Sequence, residues 1–383
     1  MVAVAAAAFS IAYTAACVVV MLGWRLRRVR PPSTPSASVT VLKPLCGDEP
    51  GLEENLRSFC RLVGPGIEIL FGARDPDDPA LVIARQVAGE FPTGDIHVVA
   101  GALGCGANRK VNTLAHLMSL ARHDWLVIAD SDIRVAPTYL SSVVAPLADP
   151  SVGIVSCVYR GRPTDTLWSR LGAMAIDEWF IPSVLVANAL GSAAYCSGTT
   201  MALRREVLDA AGGFEALAPL LADDYELGAR VRRLGFRSVI ASTELSATVN
   251  EPTFTSLVRH ELRWLRTVRT ITPVGHFLSF LTYTLPLSLL AVLATGAAPW
   301  SWLLPAAAVV LRAALHWVVR LSAPWEGAPR DLVASVWLVP ARDILSFALW
   351  LASYASRRVT WRGNDMWVSA DGVLRGSEET SPA

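Results

Sequence analysis

Trp125-Leu126-Val127-Ile128-Ala129-Asp130-Ser131-Asp132 decides the fold. Five apolar residues run without a polar interruption into two carboxylates. A strand this apolar must be covered on both faces, which is the habit of a parallel sheet with helices on either side. Ligands of such sheets bind beyond the carboxyl ends of the strands, where Asp130 and Asp132 sit. A sharp turn there aims both side chains at one point. Hard oxygens of this kind suit Mg²⁺ or Mn²⁺, which takes one or two carboxylates together with phosphate oxygens. A lone Asp-x-Asp is most often a solvated turn, so its weight comes from the strand before it and from its partners.

Outward from this strand, apolar runs alternate with amphipathic stretches from Val39 to about Ala247. Residues 39–43, 67–73 and 96–100 read as strands. Residues 51–63, 79–90 and 110–121 read as helices. The fold class is α/β, a doubly wound sheet, and no internal repeat is visible.

Both ends are apolar. Residues 2–24 carry no charge and would make about 34 Å of helix, enough to cross a bilayer core. A cleaved signal peptide fits poorly, because the charges follow the apolar run. Arg25, Arg27, Arg28 and Arg30 place that end in the cytoplasm. The expected organisation is an anchor at 1–24, a basic Pro/Ser linker at 25–38, a cytoplasmic domain at 39–270, membrane helices at 271–356 and a tail at 357–383. Residues 272–297, 301–319 and 333–355 are each long enough to span. Four crossings would leave Arg357, Arg358 and Arg362 outside, against the positive-inside rule. One segment is therefore expected to be re-entrant or interfacial; 333–355, which contains Arg342 and Asp343, is the weakest span.

Composition agrees with a membrane protein. Hydrophobic residues are 52% and charged residues 17% of 383, with a net charge of +1. That balance, without a basic stripe, excludes an electrostatic case for nucleic acid. The six scattered cysteines fit neither a zinc site nor a disulfide framework, and free thiols suit a reducing compartment.

Three further groups carry candidate chemistry. Asp75, Asp77 and Asp78 follow the 67–73 strand; Asp75, nearest the strand end, is placed to accept from a nucleoside, while Asp77 and Asp78 read equally well as a solvated loop. Asp223-Asp224 opens a helix over 223–236 whose buried face is marked by Leu227, Val231 and Leu234. Asp223 reads equally as its N-cap. Asp224, in the first turn, is kept ionised by the helix N-terminus and is suited to take a proton from a hydroxyl. In the run from Arg259 to Arg266, Arg263 is placed to reach a leaving group on which charge grows. Trp264 is placed to wall an acceptor channel or to anchor at the lipid interface.

In chain order these pieces resemble the ceramide glucosyltransferase family and its processive relatives. The matching elements are Lys43-Pro44-Leu45 with Gly47, Asp75 to Ala80, Asn108 to Asn112, Asp130 to Val135, Gly198 to Arg205, Ala211 to Phe214, Asp223-Asp224-Tyr225 and Arg263-Trp264. The resemblance implies a GT-A fold, a doubly wound mixed sheet that binds a UDP-sugar and a divalent metal, Mg²⁺ or Mn²⁺. By position, Lys43, Asp75, Lys110 and Asp130 fall to donor binding, Asp130 and Asp132 to the metal, and Asp224 to the base. Arg263 and Trp264 close a (Q/R)xxRW motif whose first position is His260 here, beside the leaving group or acceptor. Lys43 and Lys110 are the only lysines in the chain. Residues 177–182 lack a histidine-bearing acceptor segment of the animal enzymes. The stretches DSDIRV, WFIPSVLVANALG and RHELRWLRTVR are most similar to bacterial hopanoid-biosynthesis glycosyltransferases.

The resemblance therefore implies an inverting transfer from UDP-N-acetylglucosamine or UDP-glucose to a membrane hopanoid polyol, at the inner membrane. Ceramide is the alternative acceptor. A processive polysaccharide synthase is disfavoured by His260 and the few spans. A non-catalytic membrane protein would leave the ordered carboxylates unexplained.

Overall fold

The computed structural model describes residues 1–26, 37–192, 194–321, 336–356, 358–361, 364–368 and 374–376. Arg27, Arg28, Arg30, Arg357 and Arg362, and most of the 25–38 linker, lie outside the described residues.

Eight strands form one sheet: β1 Val39–Pro44, β2 Ile67–Ala73, β3 Asp95–Ala100, β4 Trp125–Ala129, β5 Ile133–Arg134, β6 Val152–Pro163, β7 Thr200–Arg204 and β8 Arg237–Val249. Their order is β3-β2-β1-β4-β7-β6-β8-β5. The first four are parallel, and β6 pairs parallel with β8. β7 runs antiparallel between β4 and β6, and β5 antiparallel beside β8, so the sheet is mixed.

Side-chain alternation explains the double covering. Val39, Val41, Ile69, Phe71, Val127 and Ala129 face one core, against helices Leu52–Cys60 and Pro79–Gly89. Leu42, Leu70, Leu126 and Ile128 face the other, against helix Arg109–Leu120. Two side chains start helices at the edge where the parallel strands end. Asp78 caps one through the Ala80 amide at 2.9 Å, and Asn108 caps the other through Val111 at 3.2 Å.

Two expectations about the helix Asp223–Arg233 are corrected. Its N-cap is Ala222, so Asp223 is the first helical residue rather than the cap. Leu234 follows the last turn and is 45% exposed, while Leu227 and Val231 are buried. The chain turns out of the helix there, so the periodicity stops one position early.

The apolar ends pack on one another and on the domain. Helix Val2–Leu26 lies against helices Ile181–Ala189, Thr284–Ala294 and Leu303–Leu321. Ser10 donates to Thr284 Oγ1 at 3.0 Å, and the Thr14 hydroxyl lies 2.5 Å from the same atom. Residues 272–297 are not one straight helix: Pro273–Thr282 and Thr284–Ala294 meet at 70°.

Helix Val336–Ala355 is long and apolar enough to cross a membrane, as are Val2–Leu26 and Pro299–Leu321. Its contacts run lengthwise beside helix Phe254–Ile271. Arg342 forks onto Glu261 at 2.6–2.7 Å near one end, and Arg269 donates to the Ser353 and Ser356 carbonyls at 2.6 and 2.8 Å near the other. The charges that made this segment the weakest span are thus paired; Asp343 meets Arg312 at 2.7 Å. Beyond it, the expected tail carries a small antiparallel sheet, Arg358–Trp361, Asn364–Val368 and Leu374–Gly376.

Candidate active site

Gly198 stands at the centre of the site. A Cβ built there would lie 2.8 Å from Lys110 Nζ and 3.4 Å from both Asp130 Oδ2 and Asp224 Oδ2. Three separated motifs therefore meet at one residue without a side chain. The register explains it: β7 pairs with β4 so that Thr200 faces Ala129, and the chain leading into β7 at Gly198 runs past the residues that follow Ala129. The helix that carries Asp224 approaches closely through Gly228, where a Cβ would lie 2.7 Å from Cys196 Cβ.

Each charged group has a definite partner. Lys110 Nζ is 2.6 Å from Asp130 Oδ1 and 3.8 Å from Asp223 Oδ2. Burial pulls the Lys110 ammonium down, but Asp130 and Asp223 outweigh it and hold its pKa well above the usual lysine range. Asp224 accepts from the Gly198 amide and from its neighbour Tyr225, both at 2.7 Å. Asp223 receives Asn108 Nδ2 at 3.3 Å; burial pushes its carboxyl up to about 6, with Lys110 opposing.

Lys43 is fully buried inside β1. It donates to the main-chain oxygen of Asp130 and lies 3.9 Å from the centre of the Phe59 ring. Burial pulls this ammonium down and pushes the neighbouring Asp132 carboxyl up, with Asp130 and Glu49 adding to the latter. Asp132 Oδ1 is buried with no hydrogen-bond partner. An unpaired buried carboxylate oxygen is costly, and beside a second carboxylate it fits a hard cation.

Asp75 stands apart from this cluster. It is exposed at the end of β2, and its carboxylate accepts from the Asp77 amide at 3.0 Å. His260 and Trp264 form a second group on helix Phe254–Ile271. The His260 ring meets the buried Glu251 at 2.5 Å and packs edge-on against Trp264 at 4.8 Å. Trp264 in turn contacts Phe180, which contacts Tyr159 and Tyr195. Arg263, half-buried, precedes Trp264 on this helix.

Sequence reasoning missed several members. Glu49 accepts from the Ser131 hydroxyl at 2.6 Å, which fixes the middle residue of the Asp130–Asp132 turn. Its place after β1 was the available signal. Gly198 lay in a matched segment but had no assigned role. Glu251 is nine residues from His260, with nothing in the sequence to pair them.

Among the described residues, the group of three whose ligand atoms lie within 4.8 Å of one another is Glu68, Asp95 and His97. It lies at the opposite ends of β2 and β3, and Arg122 binds both Glu68 and Asp95 there. That guanidinium already supplies the positive charge.

The profile of Glycosyl transferase family 21 matches residues 2–374. Ceramide glucosyltransferase 1 of Caenorhabditis elegans is 23% identical over 244 residues, 63% of this chain and 52% of that protein. Ceramide glucosyltransferase of Candida albicans is 30% identical over 121 residues, 28% of this chain and 22% of that one. The chain spans about half the length of the curated Caenorhabditis relatives it matches. Among solved structures, a mannosyltransferase from Pyrobaculum calidifontis in complex with GDP-Man and Mn²⁺ is similar at 21% identity and a TM-score of 0.49. That similarity covers 91% of this chain and 98% of the other. The mixed sheet observed here, parallel in its first half with carboxylates at the strand ends, is of the GT-A type. With the family profile spanning nearly every residue, the chain belongs to Glycosyl transferase family 21.

Proposed function

We propose that this protein transfers a sugar, with inversion at the anomeric carbon, from a UDP-sugar to a hydroxyl of a membrane lipid. The observation that carries this reading is the meeting of Lys110, Asp130 and Asp224 around Gly198 at the carboxyl end of β4. Asp75 takes the uridine, and Lys110 the donor diphosphate. Lys43 fixes the main chain of Asp130 from below. Asp130 and Asp132 fit a divalent cation, Mg²⁺ or Mn²⁺, which when bound would neutralise charge on the departing diphosphate. Asp224 removes the proton from the acceptor hydroxyl; its two amide donors point the carboxylate. Arg263 stabilises the leaving group, while Trp264 and His260 line the acceptor side, with Glu251 orienting the imidazole.

The membrane placement that belongs to this reading takes its support from the contacts of the apolar helices. Val2–Leu26, the bent pair Pro273–Ala294 and Pro299–Leu321 make three crossings, and Val336–Ala355 lies along the domain's last helix. This arrangement keeps the domain and the arginine-rich C-terminal segment together on the cytoplasmic side.

A hopanoid polyol is the proposed acceptor, with N-acetylglucosamine or glucose as the sugar. Ceramide is the second reading, favoured by relatives named ceramide glucosyltransferase. The test is purified protein with radiolabelled UDP-sugars and each lipid in turn, followed by mass spectrometry and anomeric analysis. A β-linked glycolipid is expected from the α-linked donor. An α-linked product, or no transfer to any lipid alcohol, overturns the reading.

A further inference from the structure

The two lysines at the carboxylate cluster are held in different ways. Lys43 is enclosed within β1, between the Asp130 carbonyl and the Phe59 ring. Lys110 sits in the first turn of helix Arg109–Leu120 on a flexible stem, its side chain 19% exposed, against the Asp130 carboxylate itself. Five carboxylates (Glu49, Asp130, Asp132, Asp223 and Asp224) surround these two ammonium groups. One of their oxygens, Asp132 Oδ1, has no hydrogen-bond partner in its buried position. The carboxylates of this cluster thus outnumber its two lysines, and of those two Lys110 is the one that can move.

We infer that Lys110 is a resident counter-ion of Asp130: it competes with a divalent cation for that carboxylate and releases it when a diphosphate enters. The inference rests on the reading above that the site takes a nucleoside diphosphate and a divalent cation. An ammonium 2.6 Å from Asp130 Oδ1 and a dication on the same carboxylate repel each other strongly at this range. A diphosphate supplies Lys110 with another anion, so the ammonium moves to phosphate oxygens and Asp130 becomes available. Gly198 leaves room for that movement, since any Cβ there would meet Nζ at 2.8 Å. Free metal is thereby held off, and cation and nucleotide bind cooperatively.

Mn²⁺ binding to the detergent-purified full chain, followed by electron paramagnetic resonance with and without UDP, tests this. Wild-type protein is expected to bind Mn²⁺ weakly alone and more tightly with UDP. Lys110→Met should tighten nucleotide-free Mn²⁺ binding roughly tenfold or more, the scale on which one adjacent charge shifts a carboxylate's affinity for a proton. It should also shrink the gain on adding UDP. In an Asp130→Asn background the same substitution should have a much smaller effect, limited to its longer-range action on Asp132. Unchanged, weaker or absent nucleotide-free Mn²⁺ binding in Lys110→Met, with an unaltered thermal transition proving the fold, overturns the inference. So does a wild-type chain indifferent to UDP. The nucleotide-free comparison needs no turnover, so a wrong donor or acceptor would not be mistaken for a wrong role of Lys110.

Discussion

Gly198 and Asp224 make opposite demands on substitution. At Gly198 the missing methyl matters: Ala would press on the tip of Lys110, which can swing aside, and on two carboxylates at ordinary contact distance. Gly198→Ala is therefore expected to keep its thermal transition within a few degrees while losing most of its transfer rate and weakening UDP binding. At Asp224 the charge matters. Asp224→Asn deletes the base and is expected to lower kcat by about 10²–10⁴ with UDP binding nearly unchanged. An amide can accept only one of the two backbone bonds the carboxylate receives, so a loss of about 1 kcal/mol in stability should accompany it. Near-normal turnover in Asp224→Asn would remove it as the base. Asp223→Asn is not the simple capping control that the sequence invites, because Asp223 holds Asn108 and faces Lys110.

At the level of elements, the helices after residue 298 are fastened to the domain by buried charge. Arg312, His316 and Arg320 recur every fourth residue, one face of helix Leu303–Leu321, and all three meet Glu178. Arg312 also grips Asp343 at 2.7 Å. Removing one partner of a buried pair costs about 3–5 kcal/mol, whereas replacing both by apolar residues is often neutral. Arg312→Met should accordingly lower the melting temperature in detergent by far more than Arg312→Met combined with Asp343→Leu. Equal losses in the single and double variants would mean the pair adds nothing. Much of the element structure was legible in the sequence, since β1 to β4 and their helices follow from apolar runs and amphipathic spacing. The pairing of β7 between β4 and β6 was not, because antiparallel register depends on long-range partners that a local pattern does not name. Lys110, Asp130 and Asp224 were therefore readable as residues, while their meeting point at Gly198 was not.

For the whole molecule, the question is which apolar segments cross. Continuity alone favours Val336–Ala355, one unbroken helix, over the pair of shorter helices bent by 70° ahead of residue 295. The reading proposed above favours the pair instead, on the lengthwise bonds of Arg342 and the Ser353 carbonyl to the helix that ends the domain. Reporter fusions decide it: one after Ser356 should be active in the cytoplasm, and one in the 296–298 turn outside. A C-terminal reporter active outside would make Val336–Ala355 a true crossing.

One turn of the chain fixes the angular phase of everything around it. Residues Ile176–Phe180 form a π-helical turn between helices Leu167–Ala175 and Ile181–Ala189, a single surplus residue in an otherwise regular rod. It sets Asp177 and Glu178 inward and leaves Trp179 stacked on Tyr283 and Phe180 against Trp264. Downstream, the rotated helix presents Ser183 to the Tyr13 hydroxyl of the N-terminal helix at 2.8 Å. Each α-helical residue adds about 100° of rotation. Deleting one residue here would swing the later helix by that angle and part Ser183 from Tyr13 of the N-terminal helix. A chain one residue shorter here could keep all its other side chains and still lose its fit.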